Sequence, residues 1–191
     1  MRITSGIFKG HVIKAPPGRV RPTGDMVKHA FFSTVSDRIK NSRFLDLFSG
    51  SGAIGLEAFS VGASHVEMVE LDRNSLSVIY KNLEKVVKDV DVRKKQFVIH
   101  NKDAFRFVKS TEYTVPFDII YADPPYTLVD LPNKMRDLAQ SIRTSLLLSE
   151  DGLLVTELGS DVLSTDFTGW RLIKSAVYGQ THLCYYKKDM K

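Results

Sequence analysis

The segment Phe44-Leu45-Asp46-Leu47-Phe48-Ser49 runs directly into Gly50-Ser51-Gly52-Ala53-Ile54-Gly55, and that junction restricts the fold more than any other part of the chain. A short apolar run ending in G-x-G-x-x-G and opening onto a helical pattern is a strand–turn–helix unit that presents a helix N-terminus to a ligand. The first glycine permits the tight turn, the second lets a ligand approach the backbone, and the third lets helix and strand pack closely. From residue 43 onward apolar runs and amphipathic stretches alternate. Strands are expected at 44–48, 65–71, 97–99, 117–122 and 153–158. Helices are expected at 53–61, over Leu76, Ile79, Tyr80, Leu83 and Val87 behind a capping Asp72, and over Met135, Leu138, Ala139, Ile142 and Leu146. Such alternation makes an α/β, doubly wound parallel sheet with right-handed crossovers. The stretches 170–178 and 182–186, joined at Gly179-Gln180, read as an antiparallel hairpin closing the sheet.

Ahead of that unit, residues 2–14 read as a short hairpin with Ile3, Ile7, Val12 and Ile13 as its apolar points. Val27, Phe31, Val35 and Ile39, widened by Ala30, then define one helix, with Thr23 or Asp25 as its cap. With 191 residues, 43% of them hydrophobic, the chain can bury a single core. No apolar run approaches the roughly 18 residues needed to span a membrane. The N-terminus lacks the apolar core of a signal peptide. Cys184 is the single cysteine, so no internal disulfide forms, and the five histidines show no paired metal spacing. A cytoplasmic protein without a metal is expected. The net charge of +5 is uneven, with +7 on residues 1–45 and −2 on the rest. A basic end on a near-neutral body points to a polyanionic partner, and nucleic acid is the commonest.

Three acids surround the expected ligand crevice. Glu70 lies 20 residues after Gly50 at a strand end, where a carboxylate either accepts both hydrogen bonds of a ribose diol or is an ordinary strand-end acid. Asp46, four residues before the first glycine, repels a pyrophosphate and attracts a ligand carrying an ammonium and a sulfonium. That favours S-adenosylmethionine over NAD, unless Asp46 is a structural acid paired with backbone amides. Asp103 can receive an adenine amine, cap a helix over 104–109, or do both. Phe48, Leu71 and Ala104 stand beside these acids and complete the cofactor-lining set with Gly50 and Gly52. At the end of the 117–122 strand come Asp123-Pro124-Pro125-Tyr126. An acid, two turn-forcing prolines and an exposed ring at a strand's C-terminal end suit a planar base held by its exocyclic amine, although Asp-Pro turns are common.

Taken together these residues resemble a known set. Asp46 to Gly52 is similar to motif I of class I methyltransferases, and Asp123 to Tyr126 to motif IV of the amino methyltransferases. Met1-Arg2-Ile3-Thr4-Ser5-Gly6, Phe8-Lys9-Gly10, Arg21-Pro22-Thr23 and Tyr178-Gly179 resemble the RsmD family, bacterial enzymes that methylate guanine N2 in 16S rRNA. The resemblance implies a Rossmann-like, seven-stranded sheet of order 3-2-1-4-5-7-6 over residues 41–191. It implies an N-terminal extension, residues 1–40, that contacts cofactor and RNA. Lys102 departs from the pattern, standing where a glycine commonly precedes the adenine-side acid, and Met26-Val27 stand where an arginine is frequent.

The resemblance further implies that Thr23 bonds the methionine end of the cofactor, and that Asp123 and the Pro124 carbonyl grip the guanine amine. Asp123 also flanks the cofactor, Pro125 stiffens the turn, and Tyr126 stacks on the base. Arg2, Lys9, Lys14 and Arg21 are the candidate phosphate contacts, or else a generic basic surface. The implied partner is 16S rRNA in an assembling small ribosomal subunit, met by a monomer. A DNA adenine-N6 methyltransferase shares the motif order but lacks here a separate sequence-reading domain. An NAD-dependent oxidoreductase leaves Asp123 to Tyr126 without a purpose.

Overall fold

The computed structural model describes residues 1–16, 24–110, 113–159 and 166–189. Seven strands, β1 (Arg43–Asp46), β2 (His65–Glu70), β3 (Phe97–Asn101), β4 (Phe117–Ala122), β5 (Leu148–Gly159), β6 (Trp170–Tyr178) and β7 (Thr181–Lys188), form one sheet. Its order is β3-β2-β1-β4-β5-β7-β6, as the resemblance implied. The first five strands pair in parallel, and β7 runs antiparallel between β5 and β6. The chain leaves β1 toward β2 and β3, then returns to lay β4 on the other side of β1. That reversal opens a crevice at the C-terminal ends of β1 and β4.

Helices α1 (Asp25–Thr34), α2 (Ser36–Ile39), α3 (Ala53–Ser60), α4 (Arg73–Val86), α5 (Val90–Gln96), α6 (Ala104–Ser110) and α7 (Leu131–Thr144) cover the sheet. One core layer joins Phe31, Leu56, Ile79 and Leu83 to Phe44, Met68, Tyr121 and Tyr185. The other joins Phe107, Met135, Leu138 and Ile142 to Leu45, Ile120, Leu154 and Tyr186. The alternating strand residues therefore divide between two faces, and both are buried, as a parallel sheet requires. None of the described helices is long and apolar enough to cross a membrane.

Several expectations need correction. The apolar stripe Val27, Phe31, Val35, Ile39 is buried throughout but is carried by two helices. Thr34 Oγ1 donates back to the Ala30 carbonyl at 2.8 Å, which competes with the helix ladder where α1 stops. Gly24 occupies the N-cap of α1, and Asp25 lies in the first turn, paired with Lys28 at 3.3 Å rather than capping. Thr23 lies outside the described residues. Tyr80 is exposed on the outer face of α4, and Leu146 lies beyond α7 and is also exposed. The expected β5 starts earlier, at Leu148, because Leu148 pairs with Phe117 across a register shift before the Ile119–Leu153 pairing. Helix α5 has no apolar period to announce it; it is started by Asp89, whose carboxylate accepts from the amides of Asp91 and Val92.

The N-terminal arm folds back on itself as expected, with Arg2 bridged antiparallel to Val12 and backbone bonds from Ile3 N to His11 O at 3.0 Å and from Ile13 N to Met1 O at 3.0 Å. Ile3 and Ile13 are buried in the first core layer, whereas Ile7 and Val12 face solvent. A charge pair holds this arm down. Lys28 and Glu57 are both fully buried, with Nζ 3.1 Å from Oε2. Lys28 Nζ also donates to the Arg2 carbonyl at 2.8 Å, and Glu57 accepts from the amide and hydroxyl of Thr4. Removing one partner strands the other charge in the core. Lys28→Met is therefore expected to lower the unfolding free energy by about 3–5 kcal/mol in urea denaturation. The double variant Lys28→Met/Glu57→Gln, which keeps an acceptor for Thr4, should recover more than half of that. A loss under about 1 kcal/mol for the single variant would contradict the anchoring role.

Candidate active site

The residues that end β1, β2 and β4 are brought together by hydrogen bonds across the C-terminal edge of the sheet. Leu47 donates its amide to Tyr121 O at 3.0 Å, and Ser49 donates to Val69 O at 3.1 Å. The chain then turns sharply, with Gly52 N–H on Ser49 O at 2.7 Å. Gly50 and Gly52 have φ of 54° and 77°, which side chains rarely adopt. The three glycines share the work differently from the expected scheme. A Cβ on Gly50 meets nothing within 4 Å, so the open side of the loop is there. A Cβ on Gly52 approaches Met68 Sδ at 3.3 Å, so this glycine serves packing as well as the turn. At Gly55 the approach to Met68 Sδ is 2.8 Å, which is the close helix–strand contact expected of the third glycine.

Glu70 is buried and directed into this loop. Its Oε2 accepts from Gly50 N–H at 2.7 Å and its Oε1 from Asp72 N–H at 2.8 Å. The acid thus sets the position of the first glycine and of the start of α4. Asp72 caps that helix, accepting from the Ser75 amide at 2.9 Å. Asn101 Nδ2 donates to the carbonyls of Glu70 and Leu71, tying β3 to the same turn. Asp103 caps α6 through the Arg106 amide at 2.9 Å. With Leu71 and Phe105 it also lines a cleft of about 510 Å³. Phe48 packs edge-on against Phe105, and Ala104 is buried beneath them.

Asp46 differs from Glu70. It is 1% exposed, and its Oδ2 has no hydrogen-bond partner among the described residues. Burial pushes its carboxyl up from 3.8 to about 7; amides of Phe48 and Gly55 and the Ser49 hydroxyl oppose the shift, and the charge of Glu70 adds to it. An orphaned, buried carboxylate oxygen beside an open glycine suits a cationic group.

The second half of the site stands across the crevice. Asp46 is in register with Tyr121, so Asp123 lies two residues further along the neighbouring strand, a rise of about 7 Å. Asp123 is half-buried, Pro124 is buried, and Pro125 and Tyr126 are exposed, Tyr126 at 49%. The Leu128 amide closes the turn on Pro125 O at 3.1 Å. Beneath it the Tyr121 ring packs at a tilt against Phe31, with ring centres 4.7 Å apart, and its hydroxyl donates to buried Glu157. Burial and the charges of Glu157 and Asp123 raise the Tyr121 hydroxyl well above its ordinary value, so it remains a donor.

The basic candidates are less tightly grouped. Arg2 and Lys14 are exposed at the end of the arm nearest the glycine loop, where Met1 Sδ lies 4.0 Å from Ser51 Oγ. Lys9 is also exposed, but its turn packs on Ser60, at the far end of α3, about 12 Å of helix from the loop. Arg21, like Thr23, lies outside the described residues.

Sequence reasoning missed Asn82, Glu57 and Glu157. Asn82 is a polar residue on the buried stripe of α4, three positions after Ile79, and that placement was the available signal. Glu57 similarly interrupts an apolar helix.

A seven-stranded sheet of this order with a glycine loop, a β2-end acid and an amino-methyltransferase corner defines a class I S-adenosylmethionine-dependent methyltransferase. The chain belongs to the family described as Conserved hypothetical protein 95, the RsmD family, whose model matches residues 1–187. It is 31% identical over 198 residues to the protein of Escherichia coli (strain K12) named Ribosomal RNA small subunit methyltransferase D, covering 99% of this chain and 90% of that one. The Haemophilus influenzae protein of the same name is 28% identical over 180 residues, covering 94% and 89%. The solved structure of yhhF from Escherichia coli superposes with a TM-score of 0.82 at 27% identity, over 100% of this chain and 99% of that one.

The raised carboxyl of Asp46 has a measurable sign. The folded state holds the proton up to about pH 7, while the unfolded chain releases it near 3.8. Stability therefore falls as pH rises between those values and is flat above them. Asp46→Asn is expected to remove that slope and to unfold, without ligand at pH 8, about 1–3 kcal/mol less readily than the parent. An unchanged pH profile in chemical denaturation would refute the assignment.

Proposed function

We propose that this protein transfers the methyl group of S-adenosylmethionine to the exocyclic N2 of a guanine in 16S rRNA. The observation that carries the reading is the Asp123-Pro124-Pro125-Tyr126 corner at the end of the strand paired with β1, beginning two residues beyond the register partner of Asp46, whose Oδ2 has no partner among the described residues. The E. coli and H. influenzae relatives are named for methylation of small-subunit rRNA, which supports the same substrate class.

S-adenosylmethionine supplies an electrophilic methyl on a sulfonium. Asp46 would accept its ammonium, Glu70 its ribose hydroxyls, beside the amides it already holds, and Asp103 its adenine amine, while Phe48, Leu71 and Ala104 would flank the ring. Gly50 leaves room on the open side of the loop, and the family resemblance gives Thr23 the methionine end. Across the crevice, Asp123 and the Pro124 carbonyl accept the two N–H bonds of guanine N2. That draws lone-pair density back from the ring onto nitrogen, and the charge-assisted member of the pair is the stronger one. A new N2–carbon bond would form as the carbon–sulfur bond broke, its electron pair leaving with sulfur as the neutral thioether. Asp123 stabilises the positive charge that develops on nitrogen, and either Asp123 or solvent takes the proton. Pro125 lacks an amide hydrogen and stiffens the turn. Tyr126 stacks on the guanine once it is unstacked from its neighbours. Alignment of this kind supplies about 7–11 kcal/mol of barrier lowering.

Arg2, Lys9, Lys14 and Arg21 contact phosphates on a basic segment, residues 1–40, that serves as the RNA-facing extension of the 41–191 domain. The substrate is 16S rRNA in an assembling small subunit, met by a monomer in the cytoplasm.

Labelled methyl transfer to small-subunit rRNA, with and without its proteins, followed by nucleoside mass analysis, tests the reading. N2-methylguanosine is expected; label in adenosine alone, or none at all, would reject it. Asp123→Ala is expected to lower kcat by about 10²–10⁴-fold while cofactor affinity stays within a few-fold. Below pH 7 cofactor binding should release a proton as Asp46 ionises beside the ammonium, seen as a buffer-dependent calorimetric enthalpy. A buffer-independent enthalpy at pH 6 would argue against that pairing.

A further inference from the structure

One side chain joins the N-terminal arm to the glycine loop. Asn82, on α4, is 1% exposed. Its Oδ1 accepts from the Lys14 amide at 2.8 Å, and its Nδ2 donates to Lys14 O at 2.9 Å and to Ser51 O at 2.9 Å. Both hydrogens of the amide are thereby used, one on the arm and one on the loop. With respect to Lys14, the side chain pairs both backbone groups as a neighbouring strand would. With respect to Ser51, it holds the residue between the two left-handed glycines, Gly50 and Gly52. One turn further along α4, Lys85 Nζ donates to Val12 O at 2.6 Å, so the arm is tied to the same helix twice.

We propose that Asn82 is a positioning residue that couples the arm to the loop, so that a ligand on the loop and RNA on the arm each strengthen the other's binding. The inference rests on the proposed function for what the two sides hold. The chemistry of the side chain is specific to the task. An aspartate at this position keeps the acceptor for the Lys14 amide but turns an oxygen toward two carbonyls. An alanine keeps none of the three bonds. A shift of the Ser51 carbonyl when the loop is filled changes the geometry of one amide hydrogen, and the rigid amide plane passes that change to the other. Linkage makes the effect reciprocal, since a ligand that favours one arrangement of the arm must itself be favoured by it.

Amide exchange of Lys14, followed by ¹⁵N NMR in the full chain with and without S-adenosylhomocysteine, reads the coupling directly. Binding is expected to slow Lys14 exchange by about 10-fold or more in the parent protein. In Asn82→Ala the same ligand should slow it by less than about 2-fold. The ratio of rRNA affinities with and without S-adenosylhomocysteine should likewise fall toward one in the variant. A parent protein whose Lys14 exchange ignores the ligand overturns the proposal, and so does a folded Asn82→Ala that responds as the parent does. The measurement on the parent decides the matter even if the variant does not fold. Absence of N2-methylguanosine counts against the proposed reaction and leaves this exchange measurement intact, because its ligand sits on the loop whatever RNA is used.

Discussion

The carboxylate of Glu70 is the fixed point on which the crevice is built. It is buried at the end of β2 and accepts from the amides of Gly50 and Asp72, so one side chain sets both the mouth of the glycine loop and the start of α4. A buried carboxylate accepting two backbone amides is stable only where the backbone turns to meet it. The positive φ at Gly50 and Gly52 is what allows that turn. Asp46 sits on the neighbouring strand under opposite conditions. It has the burial of Glu70, but its Oδ2 has no partner among the described residues, and its carboxyl is pushed up to about 7. Two acids with similar burial thus stand in different states: Glu70 is held by backbone amides, and Asp46 keeps an oxygen that none of the described residues satisfies.

The sheet order explains why these acids face Asp123. Because β4 returns beside β1, the loops after β1 and β4 diverge and leave a crevice between them. The parallel register places Asp46 opposite Tyr121, and the next two residues of β4 lead to Asp123. The ends of β1, β2 and β4 therefore open onto one crevice without any segment having to move far. The Tyr121–Glu157 bond beneath the corner ties β4 to β5 and keeps a protonated hydroxyl under the turn.

The strand–helix alternation and the positions of the glycine loop and the 123–126 corner were legible because each rests on local chemistry, turn residues after apolar runs and an acid at a fixed distance; the strand order came only from the family resemblance, since no local signal sets which strands lie side by side. The break between α1 and α2 was not legible, since the apolar stripe continues through it and only the Thr34–Ala30 bond marks the end. Helix α5 was hidden because its sequence, Val90-Asp91-Val92-Arg93-Lys94-Lys95-Gln96, carries little apolar period and depends on its cap. The packing part of Gly52 was not legible, because spacing cannot reveal that Met68 and Ile79 lie against it. Asn82 and Glu57 reach partners 68 and 53 residues away in sequence, and no periodicity encodes that distance.

The charge of the molecule is unevenly distributed. Residues 1–45 carry +7, whereas Asp46, Glu70, Asp103, Asp123 and Glu157 cluster around the strand ends. At long range the basic arm attracts a polyanion, but at physiological salt that attraction fades over about 8 Å. Asp46, Glu70 and Glu157 are the buried members of that set, whereas Asp103 and Asp123 stay within reach of solvent. Opposite charges are thus kept in separate parts of the molecule, an excess of cations on the first 45 residues and acids at the strand ends. The Lys28–Glu57 pair and Asn82 join the two parts, because each ties the N-terminal arm to helices packed on the sheet through buried polar groups that must stay paired.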